Sequence, residues 1–345
     1  MINNKPIITF AIPTWNRGDY LRESLDSIIE QILQQETAVE IFVSDNASSD
    51  STNNILRQYS MKYGFFRYSI NSANVGFDLN LINAISHSEG VYIWTFSDDD
   101  LLQKDALNKM IELIKNFSPN YICPIFDQFT LKNGELKKLQ LENYFKKFNK
   151  IKNDIQGLDF QKIIQFQLDR SGYLSINIFK RSTLKLEDIK SNIDKVKAWS
   201  HLWMLAQATI SGGGIISSYS AVSQRIDNSS TNISVFLKQL PDAFEFIFYQ
   251  FKIDKSFQKM FFKKLSDEIF SFRGLIYITI LLKLKYSKMD LAQINGKILK
   301  LSASLYFKVI FPIIPRFLLV LLTKIVRWKK GIGFNLAGKT LEKKF

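Results

Sequence analysis

Three consecutive aspartates, Asp98, Asp99 and Asp100, follow the apolar run VYIWTF at residues 91–96 after a single serine. Carboxylates grouped in this way can hold a hard divalent cation, Mg²⁺ or Mn²⁺, which takes oxygen ligands and is commonly shared between one or two carboxylates and a diphosphate. The same four residues, SDDD, also suit a helix start. Ser97 or Asp98 then caps the helix, and the remaining acids sit at the positive end of its dipole. The motif by itself leaves both readings open.

Similar polar clusters recur upstream. PTWNRGDY (13–20), SDNASSDST (44–52) and NSANVGFDLN (71–80) each follow an apolar run, and together they supply Asn16, Arg17, Asp45, Asn46, Asn74, Gly76 and Asn80. Any one of these loops is ordinary turn chemistry, since Asn, Asp, Ser and Gly dominate turns. In an open α/β sheet, however, ligands sit outside the carboxyl ends of the strands, and successive polar strand ends share one rim. No G-x-x-x-x-G-K-[ST] and no G-x-G-x-x-G follows the first apolar run, which argues against P-loop and dehydrogenase chemistry. SGGGI at 211–215 follows a helical pattern and reads as a helix stop.

The elements that must carry these loops alternate between two periods. IITFAIPT (7–14), EIFVSDN (40–46), FRYSIN (66–71), VYIWTFS (91–97) and YICPIF (121–126) are short β-rich runs. Between them, Leu21, Leu25, Ile28, Ile29 and Ile32 repeat at helical spacing after Asp19, a candidate N-cap. Ile55, Leu56 and Tyr59 repeat likewise, as do Leu79, Ile82 and Ile85, and Leu102, Ala106, Met110, Leu113 and Ile114. This alternation predicts an α/β fold with an open, mixed but mostly parallel sheet flanked by helices.

Composition sets the wider limits. The 345 residues, 46% of them hydrophobic, suffice for one large domain and an appendage. The single cysteine, Cys123, cannot form an internal disulfide, and the apolar run that opens the chain is short and lacks a basic flank, so a reducing, cytoplasmic setting is expected. Charge is unevenly placed. Residues 1–250 carry 26 Lys+Arg against 27 Asp+Glu, whereas residues 251–345 carry 20 against 5.

Four segments in order and spacing, FAIPTWNRGDYLRESLDSI, IFVSDNASSDST, SANVGFDLNLINAI and WTFSDDDLL, resemble the family 2 glycosyltransferases that use nucleoside-diphospho sugars and have the GT-A fold. The resemblance is close over about residues 5–127 and weaker to about residue 230. It implies that Pro13, Thr14, Asn16 and Arg17 help to hold the nucleotide, that Asp45 accepts a hydrogen bond from the base, and that Asn74, Gly76 and Asn80 flank the ribose and diphosphate. The acidic cluster corresponds to the metal-binding DxD. Read literally this is Asp98 and Asp100; aligned on the following leucine pair, Asp99 is the ligand to Mn²⁺ or Mg²⁺, with Asp98 and Asp100 in direct or water-mediated support. A metal there stabilises the charge that grows on the diphosphate leaving group.

A general base must also deprotonate the incoming hydroxyl. The family often carries an acidic Glu-Asp pair before a Leu-Trp helix, but KVKAWSHLWMLAQA (195–208) has Ala198 and Trp199 there. His201 and Asp194 are the candidate catalytic residues, and His201 is equally readable as a packed helix residue. His87 reads as a helix-end residue. SGYLSINIFKRS (171–182) resembles the strand and turn that close the acceptor side, and AVSQRIDNSS (221–230) a segment that places Arg225 near the diphosphate; a solvated surface charge is the alternative for Arg225.

Asn133-Gly134 signals a hairpin. Residues 143–154 mix aromatics with lysines but match no nucleic-acid-binding signature, so no nucleic-acid partner is expected. The chain thus divides into a GT-A domain at 1–235, with a nucleotide-sugar half at 1–127 and an acceptor half at 128–235, and a basic helical tail at 236–345. Within the tail, YFKVIFPIIPRFLLVLLTKIVRWKK (306–330) is interrupted by Pro312, Pro315, Arg316 and Lys324 and is edged by Trp328. It is too broken to span a bilayer but suits the surface of an anionic membrane, here the inner face of the cytoplasmic membrane; a helical subdomain packed on the catalytic domain is the alternative.

These features, with the resemblance to enzymes of O-antigen and capsule synthesis, imply an inverting transferase acting on a lipid-linked oligosaccharide acceptor. A catalytically silent sugar-nucleotide-binding scaffold and a nucleotidyltransferase are the alternatives.

Overall fold

The structure, a computed structural model, describes residues 5–132, 135–138, 153–167, 173–225 and 233–269. Asn133 and Gly134, residues 143–152, Ser171 and Gly172, Ile226–Ser230 and everything from residue 270 onward, which is most of the basic tail, lie outside the described residues.

The first half alternates as the periodicity requires: β1 (Ile8–Thr14), α1 (Gly18–Ile32), β2 (Val39–Asp45), α2 (Thr52–Lys62), β3 (Phe66–Ile70), α3 (Phe77–His87), β4 (Tyr92–Thr95), β5 (Leu101–Leu102), α4 (Ala106–Phe117) and β6 (Tyr121–Lys132). Then follow β7 (Glu135–Lys138), β8 (Ile155–Leu158), α5 (Phe160–Gln167), β9 (Asn177–Lys180), α6 (Leu186–Ser191), α7 (Ser200–Thr209), β10 (Gly214–Arg225), α8 (Ile233–Gln250) and α9 (Lys255–Ile269). The sheet runs in the order β3-β2-β1-β4-β9-β6-β10-β5.

Among the described residues, β3-β2-β1-β4 and β6-β10 pair in parallel. β9 is inserted between β4 and β6 antiparallel to both, and β5 and β8 pair antiparallel to β10. The sheet is therefore mixed, as expected, but less dominated by parallel pairs than the first five apolar runs suggest. The antiparallel strands are β5, a pair of leucines, and two later four-residue segments, too short for a period to show.

β1 and β2 are buried along their whole length, the state of central strands covered on both faces. Leu21, Leu25, Ile28, Ile29 and Ile32 of α1 are all buried, and Phe10 stacks on Trp94 at 4.9 Å beneath the sheet's centre. Thr14 pairs with Asp45, and Asp45 with Ile70, so three parallel strands end level. β4 ends opposite Ala11, and the chain continues beside β1 through a Phe96 N–H bond to the Ala11 carbonyl. Four strand ends thus meet at one edge.

Two capping expectations are corrected. Arg17, not Asp19, precedes the first helical residue, and the Gly18 N–H is satisfied by Asp50 at 2.9 Å. Asp50 also accepts from the Thr52 N–H at 3.0 Å, so one carboxylate serves the starts of α1 and α2. The approach is so close that a Cβ on Gly18 would stand 2.4 Å from Ser51 Oγ. SDDD does not start a helix: β5 intervenes, and α4 begins at Ala106 after Asp105. SGGGI does stop one, with Gly212 and Gly213 at φ +87° and +79° after α7.

By contact the chain forms two units. Met1–Phe129, Gln140–Phe166 and Gly172–Arg225 make the first, and Thr130–Leu139, Gln167–Ser171 and Ile226–Phe345 the second. In the second unit α8 and α9 bury Phe244, Phe248 and Phe261 against one another. Among the described residues no helix is long and apolar enough to cross a membrane.

Candidate active site

The rim is built by backbone loops that hold one another. Asn16, at φ 51°, donates its N–H to Ser48 Oγ at 2.7 Å and accepts the Ser49 N–H at 2.7 Å, which locks the β1 loop to the β2 loop. Asn46 clasps the third loop: its Oδ1 accepts from Val75 N–H at 2.9 Å and from Asn71 at 3.1 Å, and its Nδ2 donates to Asn74 Oδ1 at 2.8 Å. Buried Asn80 donates to the carbonyls of Ser44 (2.9 Å) and Thr14 (3.3 Å) and accepts from Ser44 Oγ, tying the ends of β1 and β2 to α3. Gly76, at φ +86°, turns the chain into α3.

The three aspartates diverge. Asp98 accepts from Thr14 Oγ1 at 2.7 Å and pairs with Arg17 at 3.3 Å. Asp99 is bridged by the other arm of the same guanidinium and accepts from Ser97 Oγ at 2.6 Å. Asp100 faces the other way and accepts from Ser175 Oγ at 2.6 Å and from the Arg225 N–H at 3.1 Å. The structure therefore brings Asp98 and Asp99 together with Thr14 and Arg17, and it does not bring Asp100 into that group. Burial pushes the Asp98 carboxyl up to about 7, with the Arg17 charge opposing the rise and the Asp99 charge adding to it. Burial, with the Asp99 charge behind it, also holds Asp100 well above the usual carboxylate range.

Arg225 is neither a solvated surface charge nor at an open rim. β5 pairs with β10 through Leu102–Val222 and Leu101–Ser223, which carries Arg225 against the acidic turn. Its side chain is 1% exposed, its Nε donates to the Asp99 carbonyl at 3.1 Å, and its guanidinium pairs with Glu23. It lies 4.7 Å from the Phe129 ring and 5.1 Å from that of Tyr20, and Tyr20 also receives Arg17 at 5.5 Å. Arg225 thus braces the acidic turn, its Nε–H holding the Asp99 carbonyl and its backbone N–H the Asp100 carboxylate.

Other expected contacts are turned inward. Asp45 is fully buried, and its carboxylate is taken up by Ser48 N–H and Oγ; burial raises its pKa. His201 lies on α7 at 2% exposure with its ring 6.0 Å from that of Trp199. The start of that helix is held from α3, where Asp78 accepts the N–H groups of Ala198 (2.6 Å) and Ser200 (3.2 Å). Asp194 stands exposed beside Lys197, and both line a cleft of about 210 Å³ whose other wall includes Gly76 and Phe77. The cleft joins one candidate base to the loop expected to flank the ribose.

Four participants escape the sequence. Glu23 and Tyr20 face the site from α1, yet nothing in a helix's surface periodicity singles them out. Ser175, whose hydroxyl links Ser97 N–H to Asp100, is 75 residues from its carboxylate partner. Trp15 is 51% exposed at the end of a wholly buried strand, a mismatch visible as the W in PTWN.

As a donor set, Asp98 and Asp99 fit a hard divalent cation: two adjacent carboxylates are held by hydroxyls and already bridged by one positive group. Among the described residues no group of three His, Cys, Asp or Glu side chains is placed to hold a metal ion, so Asp98 and Asp99 would share such a cation with other oxygen ligands.

Comparison with known proteins places this geometry. Residues 9–170 match the model of Glycosyl transferase family 2. Abequosyltransferase RfbV of Salmonella typhimurium is 38% identical over 118 residues, which cover 34% of this chain and 35% of that protein. The chain thus spans about a third of that relative's length. Staphylococcus aureus TarS 1-349 in complex with UDP superposes with a TM-score of 0.56 at 16% identity, covering 81% of this chain and 75% of that one. Mannosyltransferase PcManGT from Pyrobaculum calidifontis, in complex with GDP-Man and Mn²⁺, superposes with a TM-score of 0.51 at 14% identity, covering 95% and 89%. These likenesses carry the fold, a central mixed sheet flanked by helices of GT-A type. The match to glycosyl transferase family 2 thus covers residues 9–170, just under half of this chain.

Proposed function

We propose that this chain is an inverting, metal-dependent glycosyltransferase that moves a sugar from a nucleoside-diphospho sugar to a hydroxyl of a lipid-linked oligosaccharide in bacterial surface-polysaccharide synthesis. The observation that carries this is the meeting of four strand ends at one rim, where Asp98 and Asp99 stand beside Thr14 and Arg17 within the matched family domain. Mn²⁺ or Mg²⁺ held by Asp99 and Asp98 supplies Lewis-acid stabilisation of the leaving diphosphate. Asp100 holds the turn from behind. Pro13, Thr14, Asn16, Asp45, Asn74, Gly76 and Asn80 shape the nucleotide side, and exposed Trp15 offers a π-face to a base or sugar ring. The curated relative named for abequose transfer supports a polysaccharide product.

For the base the proposal moves from His201 to Asp194. Both were candidates, but His201 is enclosed by α7 packing, whereas Asp194 is open to the cleft beside Gly76. With purified protein, Mn²⁺ and a panel of sugar nucleotides, turnover or slow donor hydrolysis is expected for one donor. In the same assay Asp194→Asn should lower kcat about 100-fold with donor binding intact, while His201→Ala should act mainly through stability. Near-normal turnover of Asp194→Asn sends the base elsewhere. A second reading, a silent sugar-nucleotide-binding scaffold, is favoured by one feature: Ala198 and Trp199 stand where the family often has acids. Donor binding without turnover or hydrolysis across the panel supports it.

Residues 1–235 form the transferase region in this proposal, and the basic tail at 236–345 holds it to the inner face of the cytoplasmic membrane. The full chain should sediment with vesicles containing anionic lipid and be released by salt. Failure to bind such vesicles removes the membrane from the proposal.

A further inference from the structure

Arg17 is the one cation placed by the described residues across both Asp98 and Asp99, and it is the most open of the three, with a side chain 21% exposed against 5% and 10%. It precedes α1, so its side chain can leave without unwinding a helix. When it leaves, neither carboxylate loses its place, because Thr14 Oγ1 still holds Asp98 and Ser97 Oγ still holds Asp99. The Arg17 guanidinium already lies 5.5 Å from the Tyr20 ring, a contact that does not depend on the carboxylates.

Charge makes the exchange favourable. With both carboxylates ionised, Asp98 and Asp99 outnumber the one guanidinium that bridges them, and this excess of negative charge in the trio attracts a divalent cation. Once that cation is seated the carboxylates are neutralised, and the released guanidinium, whose planar fork suits phosphate oxygens, becomes available to the diphosphate of the proposed donor.

We infer that Arg17 is a resident counter-cation of the Asp98–Asp99 pair, displaced when a divalent metal binds and then free to engage the donor's diphosphate. This rests on the metal-dependent reading above. It makes Arg17 and the metal mutually exclusive partners of the same oxygens, so Arg17 lowers metal affinity in the absence of donor.

Full-length wild type, Arg17→Met and Arg17→Lys, each checked for folding by circular dichroism, are titrated with Mn²⁺ alone at about pH 8, free Mn²⁺ being followed by electron paramagnetic resonance. Arg17→Met should bind Mn²⁺ at least about tenfold more tightly than wild type, since a like charge within bonding distance has gone. Arg17→Lys should fall between, because a point charge cannot bridge both carboxylates. Adding Asp99→Asn to Arg17→Met should erase the gain.

Equal or weaker Mn²⁺ binding by Arg17→Met overturns the inference while the metal reading stands. If none of the proteins takes up Mn²⁺, alone or with UDP or GDP, the metal reading itself falls and the inference with it.

Discussion

Asp99→Ala is expected to abolish Mn²⁺-dependent binding of the sugar-nucleotide donor, leaving an affinity that no longer responds to the metal. Asp99 is the middle aspartate, and its carboxylate lies on the Arg17 side of the turn with its oxygens shared between Arg17 and Ser97. Its neighbour Asp98 is the more enclosed of the two and is braced by Thr14. Removing Asp99 takes away one of two converging carboxylates, and a hard cation with a single protein carboxylate keeps mostly water and phosphate ligands. A loss of at least about 100-fold in the Mn²⁺-induced gain of donor affinity, about 2.7 kcal/mol, is the expected size. Calorimetric titration with and without Mn²⁺ measures it. An unchanged metal response in the variant sinks the assignment of Asp99. Asp100→Asn, by contrast, should act through stability, since Asp100 faces Ser175 and the Arg225 backbone.

The second large effect belongs to Arg225→Ala. Glu23 is 44% exposed and can be rehydrated when its partner goes, so the ion pair itself contributes little to the loss. What remains is the Asp99 carbonyl without its Nε–H donor and an emptied space between Tyr20 and Phe129. Together these should cost about 2 kcal/mol, a fall of about 4–8 °C in the melting temperature of a unit of this size. Donor affinity should drop as well, because the turn bearing Asp99 loses its brace. Arg225→Lys should not restore either property, since an ammonium cannot reach the carbonyl and Glu23 in the same geometry. A variant as stable as wild type with weakened donor binding alone would return Arg225 to direct contact with the diphosphate.

Much of the first half of the molecule was readable in the chain. β1, β2, β3, β4 and the start of β6 fall on the five apolar runs, and α1, α2, α3 and α4 fall on the helical patterns between them, except that Leu102, read as helical, lies in β5; burial of one face or both leaves a period in the sequence. The later antiparallel members were not readable. β9 is a four-residue piece whose place between β4 and β6 depends on what surrounds it, and β5 is a pair of leucines identified as a strand only by Val222 and Ser223 opposite. Helix starts were not readable where the partner is distant: Asp50 serves α1 from 32 residues away, and Asp78 of α3 holds the start of α7 from 120.

By itself the sequence determined which elements form and where the polar groups fall: polar strand ends in series, an acidic cluster after the fourth, and a charge balance that sets the tail apart. Residue types and their spacing suffice for that, since the side-chain period sets which elements form and the strand order of an α/β sheet brings their ends to one edge. Only the tertiary structure decided what each polar group does there. It paired Asp98 and Asp99 with Arg17, turned Asp100 toward Ser175, buried Arg225 against Glu23, and opened a cleft to Asp194 while enclosing His201. The direction of a side chain and the partner that satisfies it are set by neighbours far away in the chain, and burial makes that choice costly to leave unmet.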